Sequence, residues 1–94
     1  MGAELMLRDK QVIAGLIVEI VIWELSSPLP GCRHRFKYRL YCGRLDGTCL
    51  VRYDNERGKG DHKHLKGTEH PYEFENIRIL IADFRKDVRE EGGI

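Results

Sequence analysis

The pattern of hydrophobic and polar residues in the first part of the chain predicts two β-strands. In a first strand from Glu4 to Ile13, Leu5 and Leu7 share one face, and the polar residues Glu4 and Arg8 lie on the other. The run from Ile17 to Leu25 is dense in β-branched residues and predicts a second strand, whose two faces are both largely apolar. Ala14-Gly15 fits a tight connection between them. Ser26 to Gly31 ends the second strand, because two prolines and a glycine cannot continue a ladder.

A β-hairpin is predicted next. Residues His34 to Cys42 alternate cleanly between an aromatic and apolar face and a basic face. The turn contains Asp46-Gly47, a strong hairpin signal, and the returning strand runs from Thr48 to Asp54. Arg52 on this strand shares the face of the basic residues opposite it.

The last part of the chain is predicted to contain a polar loop followed by a helix. Asp54 to Gly67 is polar and carries three glycines, so it is predicted as a loop whose end resumes as a short strand through His62 to His64. His70 to Phe74 fits a brief extended piece. From Asn76 onward apolar residues recur at helical spacing, and Gly92-Gly93 stops the helix. The apolar stripe, interpreted as core, is Ile77, Leu80, Ile81, Phe84 and Val88, and the outward charges, interpreted as solvated, include Asp83, Arg85, Asp87 and Arg89.

These elements predict an α+β fold, an antiparallel meander of four to five strands with one C-terminal amphipathic helix packed on one face. The length of 94 residues favours a single domain over residues 1–94. Its 41% apolar and 33% charged residues are ordinary for a folded globular protein. A chain this short is not expected to hold a bulky cofactor, so no cofactor is predicted, and a homodimer is left open.

The sequence also bears on the compartment. The chain starts without the pattern of a signal peptide, and its longest apolar stretch is too short and too acidic to cross a bilayer, so a cytoplasmic protein with no membrane contact is expected. An odd number of cysteines without Cys-x-x-Cys spacing favours free thiols. These cysteines are Cys32, Cys42 and Cys49.

The net charge of +1 conceals an uneven distribution. The stretch from Arg33 to Lys66 has ten Lys and Arg residues against four acids, a net +6, whereas both ends of the chain are acidic. A basic middle indicates an anionic partner that meets one part of the surface. The residues predicted to bind a nucleic-acid backbone are Arg33, Arg35, Lys37, Arg39, Arg52 and Lys63. The alternatives are an acidic protein partner and a solvated face that keeps the sheet from aggregating.

Catalysis is predicted in the segment from Asp54 to His64. In an extended strand His62 and His64 point the same way, with Cβ atoms roughly 6.5–7 Å apart. Two imidazoles that titrate near neutrality can cleave RNA, one taking the proton of the 2′-hydroxyl and the other protonating the leaving 5′-oxygen. Arg57 and Lys59 are near enough in sequence to stabilise the pentacoordinate anion. The alternative is two solvated histidines in a charged loop.

An alternative interpretation is a metal site that uses the same two histidines. Oxygen and nitrogen ligands would come from Asp54, Asp61, His62 and His64. The surrounding Lys and Arg residues would repel a cation, so the metal-free mechanism is favoured and no metal ligand is predicted. Gly58-Lys59-Gly60 is not a nucleotide-triphosphate loop, since a Walker motif requires Ser or Thr after its lysine.

Four runs of residues resemble one family of proteins. They are His34 to Leu40, Val51 to His64, Pro71 to Phe74 and Ala82 to Phe84. The most specific run is Tyr53 to His64, YDNERGKGDHKH, and the similarity extends from about Ile17 to Val88. The family that the chain resembles is TumE, whose members are toxins of bacterial and archaeal toxin–antitoxin modules. The resemblance implies a helix-turn-helix antitoxin that silences the toxin, and it supplies no catalytic residues.

The predicted function is therefore that of a toxin acting on RNA, as a metal-independent ribonuclease. The first alternative is a non-catalytic module that binds nucleic acid or protein through the basic face. Transfer of a group from a nucleotide cosubstrate ranks last, because the sequence has no nucleotide-binding fingerprint.

Overall fold

The protein folds as one antiparallel sheet with a helix on one face. The computed structural model describes residues 2–56 and 58–93. The elements in these residues are β1 Ala3–Ile13, β2 Leu16–Leu25, β3 Phe36–Arg44, β4 Cys49–Glu56, β5 Gly60–Leu65, β6 Thr68–Pro71 and α1 Ile77–Gly92. Each strand pairs with its neighbours in sequence, so the sheet is an uninterrupted meander. The predicted α+β meander with a C-terminal helix is confirmed, but the described residues form six strands rather than four or five.

The sixth strand is β6, which overlaps the predicted extended piece from His70 to Phe74 only at His70 and Pro71. β5 is the short strand predicted through His62 to His64, and it extends further into the polar segment on both sides. β5 pairs with β4 along its whole length, and β6 then pairs with β5. Glycine and charged residues are poor strand formers, but pairing against a well-formed neighbour overrides that preference. Lys66 and Gly67 both have positive φ, which is typical of the two-residue turn that joins such strands.

The core lies between the sheet and α1, which packs over β3 and β4. Leu80 and Phe84 of the helix and Tyr38, Leu40 and Tyr53 of the strands are almost fully buried. Each large apolar side chain buried in this way stabilises the fold by about 1.5–3 kcal/mol. None of the helices in the described part of the chain has the length and hydropathy that a bilayer span requires.

Both ends of α1 are capped by local hydrogen bonds. The Asn76 side chain accepts the backbone N–H of Ile79 at 2.9 Å, which satisfies one of the free donors of the first turn. Gly93 ends the helix with φ of 72°, a left-handed conformation that glycine adopts without strain. The predicted start and stop of the helix are confirmed.

Asp87 is an exception on the polar side of α1. Its side chain is 11% exposed and accepts hydrogen bonds from the Tyr53 hydroxyl and, at 3.1 Å, from Lys63 Nζ. The prediction that Asp87 is a solvated charge is wrong, because the helix turns this residue onto the sheet. Burial and the hydrogen bond to Asp87 raise the pKa of Tyr53, so its hydroxyl stays protonated and donates.

The connection between β2 and β3 folds back onto the turn between β4 and β5. The backbone N–H of Gly58 donates to the Pro30 carbonyl at 2.7 Å. A Cβ on Gly60 would lie 3.0 Å from the Gly31 carbonyl oxygen, and Gly60 has φ of 75°. Glycine is therefore required at position 60 for its backbone conformation and for the close approach of the two segments.

β1 forms one edge of the sheet, away from the strands that α1 covers. Ten of its eleven residues are exposed. The large apolar side chains among them are Leu5, Met6, Leu7, Val12 and Ile13.

Candidate active site

Cross-strand pairing builds two rows of side chains on the face of the sheet opposite α1. Residues that pair directly in an antiparallel ladder share a face, as do residues two apart on one strand. The neighbouring residues Tyr53 and Lys63 point to α1, so the rows point away from it. The rows are Tyr41, Arg52 and His64, and Arg39, Asp54 and His62, and together they are called the histidine face below.

His62 and His64 lie side by side on this face. Their ring centroids are 5.2 Å apart and the rings meet edge to face. The side chain of His62 is 5% exposed and that of His64 is 18% exposed. The pair therefore consists of one buried and one more accessible imidazole.

Both ring nitrogens of His62 face oxygen atoms of the protein. Nε2 lies 2.5 Å from Asp54 Oδ1, and Nδ1 lies 3.2 Å from the Gly60 carbonyl oxygen. The contact with Asp54 lacks hydrogen-bond geometry, and the buried Oδ1 has no hydrogen-bond partner among the described residues. His62 is thus fixed in orientation by a neighbouring carboxylate and by the backbone that opens β5.

Arg52 connects the two rows. Its terminal Nη2 lies 3.0 Å from His64 Nε2, and its Nε lies 3.1 Å from Asp54 Oδ2. An arginine can only donate hydrogen bonds, so His64 Nε2 accepts and carries no proton. His64 therefore presents an unprotonated nitrogen beside a guanidinium.

Asn55 anchors the end of β4 that carries Asp54. It is 1% exposed, its Oδ1 accepts the backbone N–H of Tyr38 at 3.0 Å, and its Nδ2 donates to the Phe36 carbonyl at 2.6 Å. A buried amide with both ends hydrogen-bonded holds its backbone firmly. Asp54 therefore extends from a rigid strand.

The predicted basic stripe is only partly free. Lys37 and Arg39 are two apart on β3 and share the histidine face. Arg39 lies 3.3 Å from Glu19 and over the ring of Tyr41, and Arg35, just before the strand, lies 3.5 Å from Glu24. The prediction of a basic face counted these cations but not the acidic residues of β2, which lie beside them once the strands pair.

The other predicted cations are not on the histidine face. Lys63 points to the helix side, where it pairs with Asp87. Arg33 and Lys59 line a separate cleft of about 640 Å³ next to the β2–β3 connection. Arg57 lies outside the described residues.

That cleft contains a second cluster, which the sequence did not predict. Asp61 Oδ1 lies 2.8 Å from His34 Nε2 and accepts the Tyr38 hydroxyl at 2.6 Å, while the His34 ring stacks on Phe74. His34 Nδ1 accepts the backbone N–H of Phe36 at 3.1 Å, so its Nε2 carries the proton. No spacing signal could have revealed this cluster, because its members come from separate connections and strands.

The cysteines are free thiols, as predicted. Burial raises the pKa of the Cys32 thiol, with a further contribution from the negative charge of Asp61. Burial likewise raises the pKa of Cys42. Thiolate is the nucleophilic form, so neither residue is suited to nucleophilic catalysis at neutral pH.

Two groups of side chains bring metal-ligand atoms together among the described residues. In each group one donor atom from every residue lies within 4.8 Å of the others. The groups are Asp54, His62 and His64, and Cys32, His34 and Asp61. The first group also has the composition required for proton transfer next to a stabilising cation.

Comparison with known proteins gives one result. No curated protein and no solved structure matches the chain. The sequence model of a family described as Toxin TumE matches residues 3–91, which include both rows of the histidine face. The chain belongs to the TumE toxin family.

Proposed function

We propose that this toxin acts on RNA in the cytoplasm and cleaves it at the histidine face without a metal ion. The observation that carries the proposal is the contact of the His62 and His64 rings, with centroids 5.2 Å apart, next to the guanidinium of Arg52. Two imidazoles and one fixed cation are sufficient for acid–base cleavage of a phosphodiester that has a neighbouring 2′-hydroxyl.

His64 is assigned the role of general base. Its Nε2 is unprotonated where it accepts from Arg52, and it is the more exposed of the two rings. In the reaction it takes the proton of the 2′-hydroxyl, which then attacks the phosphorus. Arg52 binds the non-bridging oxygens, on which negative charge accumulates in the transition state.

His62 is assigned the role of general acid. The Asp54 carboxylate faces Nε2 at 2.5 Å and fixes the orientation of the ring that delivers the proton. To protonate the leaving 5′-oxygen, Nε2 exchanges its contact with Asp54 for one with the substrate. Such contacts reorganise when a substrate binds, so the arrangement in the free protein is compatible with this step.

Lys37 and Arg39 are assigned to the RNA backbone. Both lie on the histidine face, and Arg39 is held by an exposed ion pair with Glu19, which contributes little stability and can open for a phosphate. Arg33, Lys59 and Lys63 lie elsewhere and are assigned no contact with the reacting phosphate.

The test is cleavage of labelled RNA in the presence of EDTA. His64→Ala and His62→Gln are each expected to lower the rate by about 10²- to 10⁴-fold, the usual contribution of a general acid or base. The matched control is His70→Ala, because His70 pairs with Lys63 and so lies on the helix side of the sheet. Circular dichroism verifies that each variant is folded, and wild-type cleavage by both variants would refute the mechanism.

The second candidate is a toxin that binds RNA or a protein without cleaving it. It is favoured by one observation, that both nitrogens of His62 already face acceptors of the protein. Binding of RNA with no fragments in the same assay would select this function. The antitoxin implied by the family is expected to be a helix-turn-helix protein, which isolation of the complex from co-expressed genes would identify.

A further inference from the structure

Asp54, His62 and His64 present ligand atoms to a common point on the histidine face. One donor atom of each residue lies within 4.8 Å of the other two. Bonds of about 2.0–2.2 Å in a tetrahedral zinc site place neighbouring donors roughly 3.3–3.6 Å apart. His62 Nε2 and Asp54 Oδ1, at 2.5 Å, are nearer to each other than this, and no pair of donors exceeds 4.8 Å, so metal binding requires side-chain movements of about 1 Å.

The orientation of the donors fits a cation as well. The Nδ1 of His62 faces a backbone carbonyl, the partner that commonly fixes the tautomer of a metal-bound histidine and leaves Nε2 free to bind. Asp54 Oδ1 is buried and without a hydrogen bond in the described structure, and Nε2 of His62 faces it at 2.5 Å. A cation stabilises these two facing atoms: either the proton that His62 carries as general acid, or a metal ion once the two side chains move about 1 Å apart.

The charge around the cluster is less repulsive than the sequence indicates. Lys63 is turned to the far side of the sheet by Asp87, and Lys59 lines the other cleft. The carboxylates of Glu56 and Glu69 lie 4.0 Å from His62 Nε2 and 3.7 Å from His64 Nε2, and both are about half exposed and free to move. Arg52 is the adjacent competing cation. Its Nε is buried beside Asp54, but its side chain as a whole is 35% exposed, so the contact of Nη2 with His64 can open while Nε stays in place.

We propose that Asp54, His62 and His64 bind one divalent transition-metal ion of the Zn²⁺ type, and that this ion silences the toxin. The ion occupies the imidazole nitrogens that transfer protons and displaces Arg52 from His64. The silencing rests on the function proposed above, whereas the binding of the ion does not. Two histidines and a carboxylate are a common ligand set for Zn²⁺, and no redox step is involved.

The binding test uses chelator-treated protein without RNA. Isothermal titration calorimetry with Zn²⁺, and visible absorption with Co²⁺ as a probe, are expected to show one ion per chain. Asp54→Asn and His64→Gln should each weaken binding by at least about tenfold. Cys32→Ser in the second cluster is the control and should have no effect, because His34 uses both nitrogens in hydrogen bonds there.

Absence of Zn²⁺ binding, or binding lost in Cys32→Ser but kept in Asp54→Asn, would overturn the site. The silencing is tested by RNA cleavage with added Zn²⁺, which should stop the reaction until EDTA restores it. Cleavage that requires Zn²⁺ would overturn both the silencing and the metal-free mechanism, while the calorimetric result would stand. If the protein cleaves no RNA under any condition, both the proposed function and its inhibition by the metal ion are refuted. The calorimetric titration alone then shows whether the metal site exists.

Discussion

Asp54 and His62 face each other across β4 and β5, with Oδ1 and Nε2 2.5 Å apart. The other oxygen of the same carboxylate lies 3.1 Å from Arg52 Nε. One side chain therefore orients both the proposed general acid and the cation proposed to stabilise the transition state. The proposed mechanism depends on this carboxylate although it never contacts the RNA.

The first prediction is that Asp54→Asn retains the fold and loses activity. The amide keeps the shape of the side chain but removes the carboxylate that orients both His62 and Arg52, so RNA cleavage should fall by about 10²-fold or more. The rate is measured with saturating RNA so that weaker binding does not obscure it. Glu69→Gln removes an exposed carboxylate near His64 and is the control, with little change expected. Equal rates for Asp54→Asn and the wild type would exclude the pair from the mechanism.

The second prediction concerns the glycines of the turn before β5. Gly58 and Gly60 both have positive φ, but a Cβ at Gly58 meets nothing within 4 Å, whereas one at Gly60 meets the Gly31 carbonyl oxygen at 3.0 Å. Gly60→Ala should therefore be less stable than Gly58→Ala by about 1–3 kcal/mol, the usual cost of overpacking. Urea unfolding of the two variants measures the difference. Equal losses would show that only the backbone conformation matters.

The third prediction is that the cations of the histidine face bind RNA and those of the helix side do not. Lys37→Ala should weaken binding and reduce the slope of log affinity against log salt by about 0.7, the value for one phosphate contact on a single strand. Lys66→Ala is the matched control, because Lys66 is exposed and pairs with Glu91 of α1. Titration of labelled RNA at several salt concentrations gives both slopes. A larger effect at Lys66 would place the RNA on the opposite face.

The fourth prediction is a loss of stability at alkaline pH. Burial and the hydrogen bond to Asp61 raise the pKa of Tyr38, as burial and Asp87 raise that of Tyr53. Above a pH of about 10 tyrosines in the unfolded chain lose protons that these two keep, so the free energy of unfolding falls by up to about 1.4 kcal/mol per pH unit for each. Below that pH the contribution is fully present.

Urea unfolding at increasing pH, for the wild type and for the double variant Tyr38→Phe and Tyr53→Phe, tests this effect. Phenylalanine has no proton to lose, so the variant should show a shallower fall. The difference between the two curves removes the contribution of lysines, which titrate in the same range. Parallel curves would contradict the proposed cause.

Alternation of side chains made much of the fold predictable. The faces of β3 and β4 and the stripe of α1 follow from spacing alone, because each of these elements buries one side. β5 was predicted only as a short piece, because its stability comes from pairing with β4, and its own residues have low strand propensity.

The candidate site was predictable to a lesser extent. The shared direction of His62 and His64 follows from their spacing, but the pairing of His62 with Asp54 depends on the register of β4 against β5. Nearness in sequence groups Lys63 with the histidines, whereas alternation on the same strand turns it to Asp87. The acids Glu19 and Glu24 meet the basic stripe only after β2 and β3 pair, so the sequence overstates its charge.

The exposed strand β1 limits the concentration at which the folded protein stays dispersed. Its outer backbone N–H and C=O groups are available to another extended chain, and long edges of this kind are where sheets grow sideways from one molecule to the next. Arg8, Asp9 and Lys10 interrupt its apolar side chains and oppose such growth through hydration and repulsion. Because salt screens that repulsion, an accumulated toxin should lose solubility as ionic strength rises.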